Sequence, residues 1–187
     1  MKKLSVTDRR STAAAVCQFL LTAGIFLFVL HFAPTAVRAQ QDEDPPNAAL
    51  PPVKVISKDE KSALDAEGDV KQHTKLAIEL MEARLKKAET LSNEEAFNAM
   101  FNELGGFHAL MDDTLKYLDK NDVNRGRVLD TFKRFEMALR SFTPRIELIR
   151  RTLPERFEYY VRRLLKSIRT VREKAVEPMF SDSIVPN

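Results

Sequence analysis

Three stretches of the chain repeat apolar positions at alternating steps of four and three residues, and this spacing constrains the fold more than any other feature. The first carries Phe97, Phe101, Leu104, His108, Met111, Leu115 and Leu118. The second carries Val128, Phe132, Phe135, Leu139, Phe142, Ile146 and Ile149, and the third Phe157, Val161, Leu164, Ile168, Val171 and Ala175. A helix turns once in about 3.6 residues, so a 4,3 repeat keeps one apolar stripe on one face. A strand needs alternation by two, which is absent. A further helix, from about Asp69 to Glu89, gathers Val70, Ala77, Leu80, Met81, Leu85 and Ala88, after a short turn over Lys58–Ala66. The expected fold is all-α: an antiparallel up-down four-helix bundle of two helical hairpins, spanning residues 58–180.

Local signals set the expected boundaries. Ser92 and Glu95 have the spacing of a capping box, in which each side chain bonds the other's backbone at a helix start. The helix that follows keeps its phase through Gly105-Gly106, although each glycine costs about 1 kcal/mol of helix propensity. Close approach of a neighbouring helix would offset that cost. Residues 119–124 (Asp-Lys-Asn-Asp-Val-Asn) read as a turn. Pro144 lies off its seam and predicts a kink. Leu153-Pro154 predicts a break, with Thr152 and Glu155 as a second capping box, and the last helix is expected to run to Pro178. Short connections make antiparallel neighbours. A turn near residues 90–91 sets His73 opposite His108 and Asp69 opposite Asp112. A turn near 153 sets Phe142 opposite Leu164, Leu139 opposite Ile168 and Phe135 opposite Val171.

The N-terminal 39 residues read as an address. Lys2, Lys3, Arg9 and Arg10 precede an apolar run from Ala13 to Phe32, and Val37 and Ala39 suit a signal peptidase before Gln40. This predicts a signal peptide over 1–39 and a secreted or periplasmic protein. The run is also long enough to span a bilayer, so an uncleaved segment would anchor the bundle outside the cytoplasm. Residues 40–57, with Pro45, Pro46, Pro51 and Pro52, read as a disordered, solvated, Pro-rich linker, and 181–187 as a C-terminal tail. Cys17, the only cysteine, lies in the leader, so the rest of the chain has no disulfide, thiol nucleophile or cysteine metal ligand. The leader also makes the whole chain look basic, at net +3; residues 40–187 carry 25 basic and 26 acidic side chains. That balance argues against nucleic acid. It is uneven, with 11 basic and 18 acidic residues in 40–125 against 14 and 8 in 126–187.

Two constellations carry chemistry. The expected register brings His73, His108, Asp69 and Asp112 together between the first two helices, a donor set suited to a divalent transition metal such as zinc. The plainer reading is two His–Asp pairs at i,i+4, with no cofactor. Covalent haem has no Cys-x-x-Cys-His, and Met81, Met100 and Met111 read as core filler and not as haem ligands. The second constellation is basic. Arg156, Arg162, Arg163, Lys166 and Arg169 concentrate along the last helix, and arginine suits an anionic surface or an acidic protein partner. The plainer reading there is a solvated face paired with Glu147, Glu155 and Glu158. Arg84 falls on an apolar stripe and needs a carboxylate from another helix. No catalytic constellation is recognisable. The expected function is a non-catalytic binding module of the cell envelope, able to self-associate through helix faces, with a metal-binding bundle as the alternative.

Overall fold

The computed structural model describes residues 46–121 and 125–181, which hold five α-helices: α1 (Lys58–Ala66), α2 (Val70–Asn93), α3 (Phe97–Asn121), α4 (Arg125–Thr152) and α5 (Glu155–Ser181). Among the described residues there is no strand. The fold is an all-α bundle. The expected signal peptide, the first part of the linker and all but the first residue of the tail lie outside the described residues.

The 4,3 stripes make the core. Leu104, Met111, Phe132, Phe135, Leu139, Ile146, Val161 and Leu164 are fully buried, joined by Ala77, Met81, Leu85 and Ala88 of α2. Full burial of a Leu, Phe or Met side chain stabilises by roughly 1.5–3 kcal/mol. α2 packs along α3 and α4 along α5, while α1 sits on α2. The two pairs meet where α2 packs on α4 and α3 on α5. Glu82 and Glu89 of α2 reach Arg145 of α4, and Val70 and Lys71 line a cleft with Val128 and Thr131 near the start of α4. Phe97 and Phe101 of α3 meet Phe157 of α5, and His108 meets Tyr160. Phe107 reaches across to Phe142 of α4, with ring centroids 5.6 Å apart.

The first hairpin turns later than its sequence suggests. α2 continues to Asn93, and the chain reverses through Glu94–Ala96. Ser92 is buried in the last turn of α2, where it extends the stripe of Met81, Leu85 and Ala88. The amide of Ala96 bonds the carbonyl of Leu91, and that of Glu95 the carbonyl of Ser92. This is a Schellman stop with Glu95 in the left-handed region at φ 56°. The expected helix start is a helix end. The later turn moves the register: His73 faces Tyr117, nine residues beyond His108.

The second hairpin breaks at Leu153-Pro154 as expected. Glu136 pairs with Arg172 and Arg150 with Glu158, a register two residues from the expected one. No capping box forms there, because the Thr152 hydroxyl bonds back to the Ile149 carbonyl. Pro144 lies inside α4, and α5 continues through Pro178 to Ser181. The capping box that does form is Ser57 with Glu60, at the start of α1.

Residues 46–57 correct a second expectation. They have no helix or strand, as a linker should. They do not stand free in solvent, however; they form a strap on the bundle. The Ala49 amide donates to the Arg156 carbonyl at 2.7 Å. Gly105 of α3 lies so close to the strap that a Cβ there would meet the Val53 carbonyl oxygen at 2.6 Å and Pro52 Cβ at 3.1 Å. The strap, and not a helix, makes the close approach at Gly105. Gly106 serves Arg84 of α2, whose guanidinium would lie 3.0–3.1 Å from an added Cβ.

Candidate functional site

Arg84 occupies the middle of the first hairpin and is paired as expected. Its Nε and Nη2 donate to Glu60 at 2.8 and 2.6 Å, and Nη1 donates to Glu103 at 2.9 Å. Lys87 adds a second cation to Glu103. Burial opposes ionisation of Glu60, but Arg84 and the Ser57 amide and hydroxyl overcome it and hold the carboxyl down at about 2. The same balance, with Lys87 and Arg84 as the cations, lowers Glu103. This cluster joins α1, α2 and α3 and is structural.

The four candidate metal ligands fall in two places. Asp69 is the N-cap of α2, accepting from the Gln72 amide at 2.9 Å. His73 is buried, stacked on Tyr117 with ring centroids 3.5 Å apart, and its Nδ1–H donates to the Leu64 carbonyl. Its Nε2 is buried without a partner among the described residues. His108 and Asp112 lie under the strap, in a different set of contacts. Among the described residues no three His, Cys, Asp or Glu side chains form a metal-binding group.

His108 is 5 % exposed and forms the centre of the strap contact. Lys54 Nζ of the strap donates to His108 Nε2 at 2.8 Å and to Asp112 Oδ2 at 3.0 Å. His108 Nδ1 faces the Tyr160 hydroxyl at 3.4 Å, and that hydroxyl faces the Leu104 carbonyl at 3.4 Å. A lysine can only donate, so Nε2 holds the lone pair and Nδ1 the proton. Burial, assisted by Lys54 and Arg163 and opposed by Asp112, pulls the imidazole down to about 4, so it is neutral near pH 7. Burial, with Asp112 nearby, pushes the Tyr160 phenol up. Sequence reasoning identified His108 with Asp112 but missed Lys54, because nothing in the local pattern ties residue 54 to α3.

The basic residues of α5 lie on its surface. Arg156, Arg162, Arg163, Lys166 and Arg169 are all exposed. Arg156 covers the Phe157 ring at 4.5 Å and Arg163 lies 5.8 Å from the Tyr159 ring centroid. Arg162 pairs with Glu158 at 2.9 Å. Steps of four and three set Arg162, Lys166 and Arg169 on one outward side, with Arg163 beside them toward the strap. The half-buried Arg145, Arg150 and Arg172, with exposed Arg140, have a different role. Arg145 grips Glu82 and Glu89, Arg172 and Arg140 converge on buried Glu136, and Arg150 joins Glu147 and Glu158. Part of the basic charge of 126–187 is thus held in pairs within and between helices, and part lies on the outer face of α5.

No family model matches the chain, and no curated protein or solved structure matches it.

Proposed function

We propose that this is an exported, non-catalytic binding module of the cell envelope that engages an anionic surface or acidic protein partner through the outward face of α5. In this reading the four long helices form an up-down bundle in which α2 neighbours α3 and α4, and α5 neighbours α4 and α3. The pairings of Arg84 with Glu103 and of Arg172 with Glu136 support that topology. The observation that carries the functional reading is the exposure of Arg156, Arg162, Arg163, Lys166 and Arg169 together on one helix. Exposed charges act over about 8 Å at physiological salt, so clustered cations attract an anionic partner better than dispersed ones.

The reading is tested with Arg162→Glu, Arg163→Glu and Lys166→Glu combined in the full chain. Retention on anionic vesicles and capture of acidic proteins from envelope extracts should fall, more at low salt, with helicity unchanged. Equal retention and capture by both proteins contradicts it. Export is tested separately: deleting residues 1–39 should leave the protein in the cytoplasm.

A transition metal at His108 and Asp112 is a second reading, favoured because both side chains converge on a cation, the Lys54 ammonium. Calorimetry with zinc tests it, and absence of binding near neutral pH contradicts it.

A further inference from the structure

The strap is held in a manner that resembles peptide recognition more than core packing. Its apolar Leu50, Val53 and Val55 are 89 %, 75 % and 56 % exposed and contribute little to the core, which Ala49 and Ile56 of the strap do touch. The attachments are of another kind. One is a main-chain hydrogen bond from Ala49 to the first turn of α5. A second is the flat floor at Gly105, against which Pro52 and the Val53 carbonyl rest. The third is the Lys54 ammonium, bridging a neutral imidazole and a carboxylate on α3. A small pocket of about 110 Å³ remains between Ala48–Pro51 and Tyr159, Tyr160 and Arg163 of α5. Main-chain bonding, prolines against an aromatic-lined groove and one specificity-setting charge are the elements by which grooves read extended peptides. Prolines also reduce the ordering cost of such a segment.

We propose that the groove between α3 and α5 is a binding site for an extended, proline-rich, lysine-bearing segment of a partner protein, which residues 46–57 occupy in cis. The pattern it reads is Pro-Pro-x-Lys: the second proline lies on Gly105, and the lysine two residues later reaches His108 and Asp112. Gly105 is the residue that admits the peptide backbone, Asp112 supplies the counter-charge, and Tyr160 holds the His108 ring so that Nε2 faces the lysine. The tethered strap acts as a competitor, so a partner binds when it displaces the chain's own segment.

The test is fluorescence anisotropy of a labelled peptide of residues 46–57 with the full-length protein. The wild-type chain should bind it weakly, because its own strap fills the groove. Lys54→Glu in the chain places a carboxylate beside Asp112 and loosens the strap, and should tighten peptide binding by about tenfold or more as the intramolecular competitor is lost. A peptide carrying Lys54→Glu should not bind. A peptide that keeps Pro-Pro-x-Lys but changes the other positions should bind comparably to the native one. Adding Gly105→Leu, or Asp112→Ala, to the Lys54→Glu chain should abolish binding at unchanged helicity. Three results each overturn the proposal. One is equal affinity of wild-type and Lys54→Glu chains. Another is binding that survives both Gly105→Leu and Asp112→Ala. The third is a wild-type dimer dissociated by the native peptide alone, which assigns the groove to a second copy.

Discussion

Glu95, Arg84 and His108 each occupy a position that an average residue of their type would not tolerate, and each gives a measurable consequence. Glu95 ends α2 in the left-handed region, where a side chain costs roughly 1–2 kcal/mol. Glu95→Gly should therefore stabilise the protein by about 1 kcal/mol, seen as a higher urea midpoint at unchanged slope. Arg84 neutralises two largely buried carboxylates, and Arg84→Met would leave both without it. The expected loss is about 3 kcal/mol, partly recovered by Glu60→Gln and Glu103→Gln in the same chain. His108 gives a pH signature. Its native imidazole titrates near 4 while the unfolded one titrates near its ordinary 6.5. On acidification the unfolded chain takes up the proton first, so this stability is complete above about pH 6.5 and is lost progressively down to about 4. His108→Gln should remove that slope from urea unfolding measured across the interval.

At the scale of elements, the informative test is Gly105→Ala. Alanine favours a helix by about 1 kcal/mol, yet its Cβ would strike the Val53 carbonyl. The helix should remain while the strap lifts, so trypsin should cut after Lys54 faster than in wild type at equal helicity. The helices themselves were legible, because stripes such as Phe132, Phe135, Leu139 and Phe142 admit one period. Their ends were less so. Four Ser/Thr-x-x-Glu motifs occur, at Ser57, Ser92, Thr152 and Thr170, and among them Ser57 forms the capping box. Ser92 follows Leu85 and Ala88 in phase, so its stripe identifies it as the last turn of a helix already running. That extra turn of helix places the reversal at Glu94–Ala96 and sets His73 against Tyr117. The strap was hidden for another reason: a proline-rich segment carries no periodicity to show which surface will receive it. Lys54 therefore could not be joined to His108 and Asp112 from sequence.

For the whole molecule, charge separates structure from surface. Glu60, Glu103, Glu136, Glu147 and Glu158 all have carboxyls held below the usual range by arginine or lysine partners, against burial where burial is appreciable. Native carboxylates of this kind release protons more readily than unfolded ones, so their stability is complete above about pH 4.5 and is lost as the pH falls toward the native values. Acid unfolding should begin with the His108 slope and steepen below about pH 4.5, a profile that thermal melts across the range would show. Of the exposed cations of α5, Arg162 also holds Glu158 down and Arg163 helps keep His108 neutral, so reversing those two should alter this profile as well as binding. The groove reading rests on the strap being docked on the bundle. Hydrogen exchange at the Ala49 amide tests this most directly, because that amide bonds Arg156 across the groove. The amide should be protected in the wild-type chain and lose protection in Lys54→Glu; exchange at the rate of a free chain in both would contradict the account.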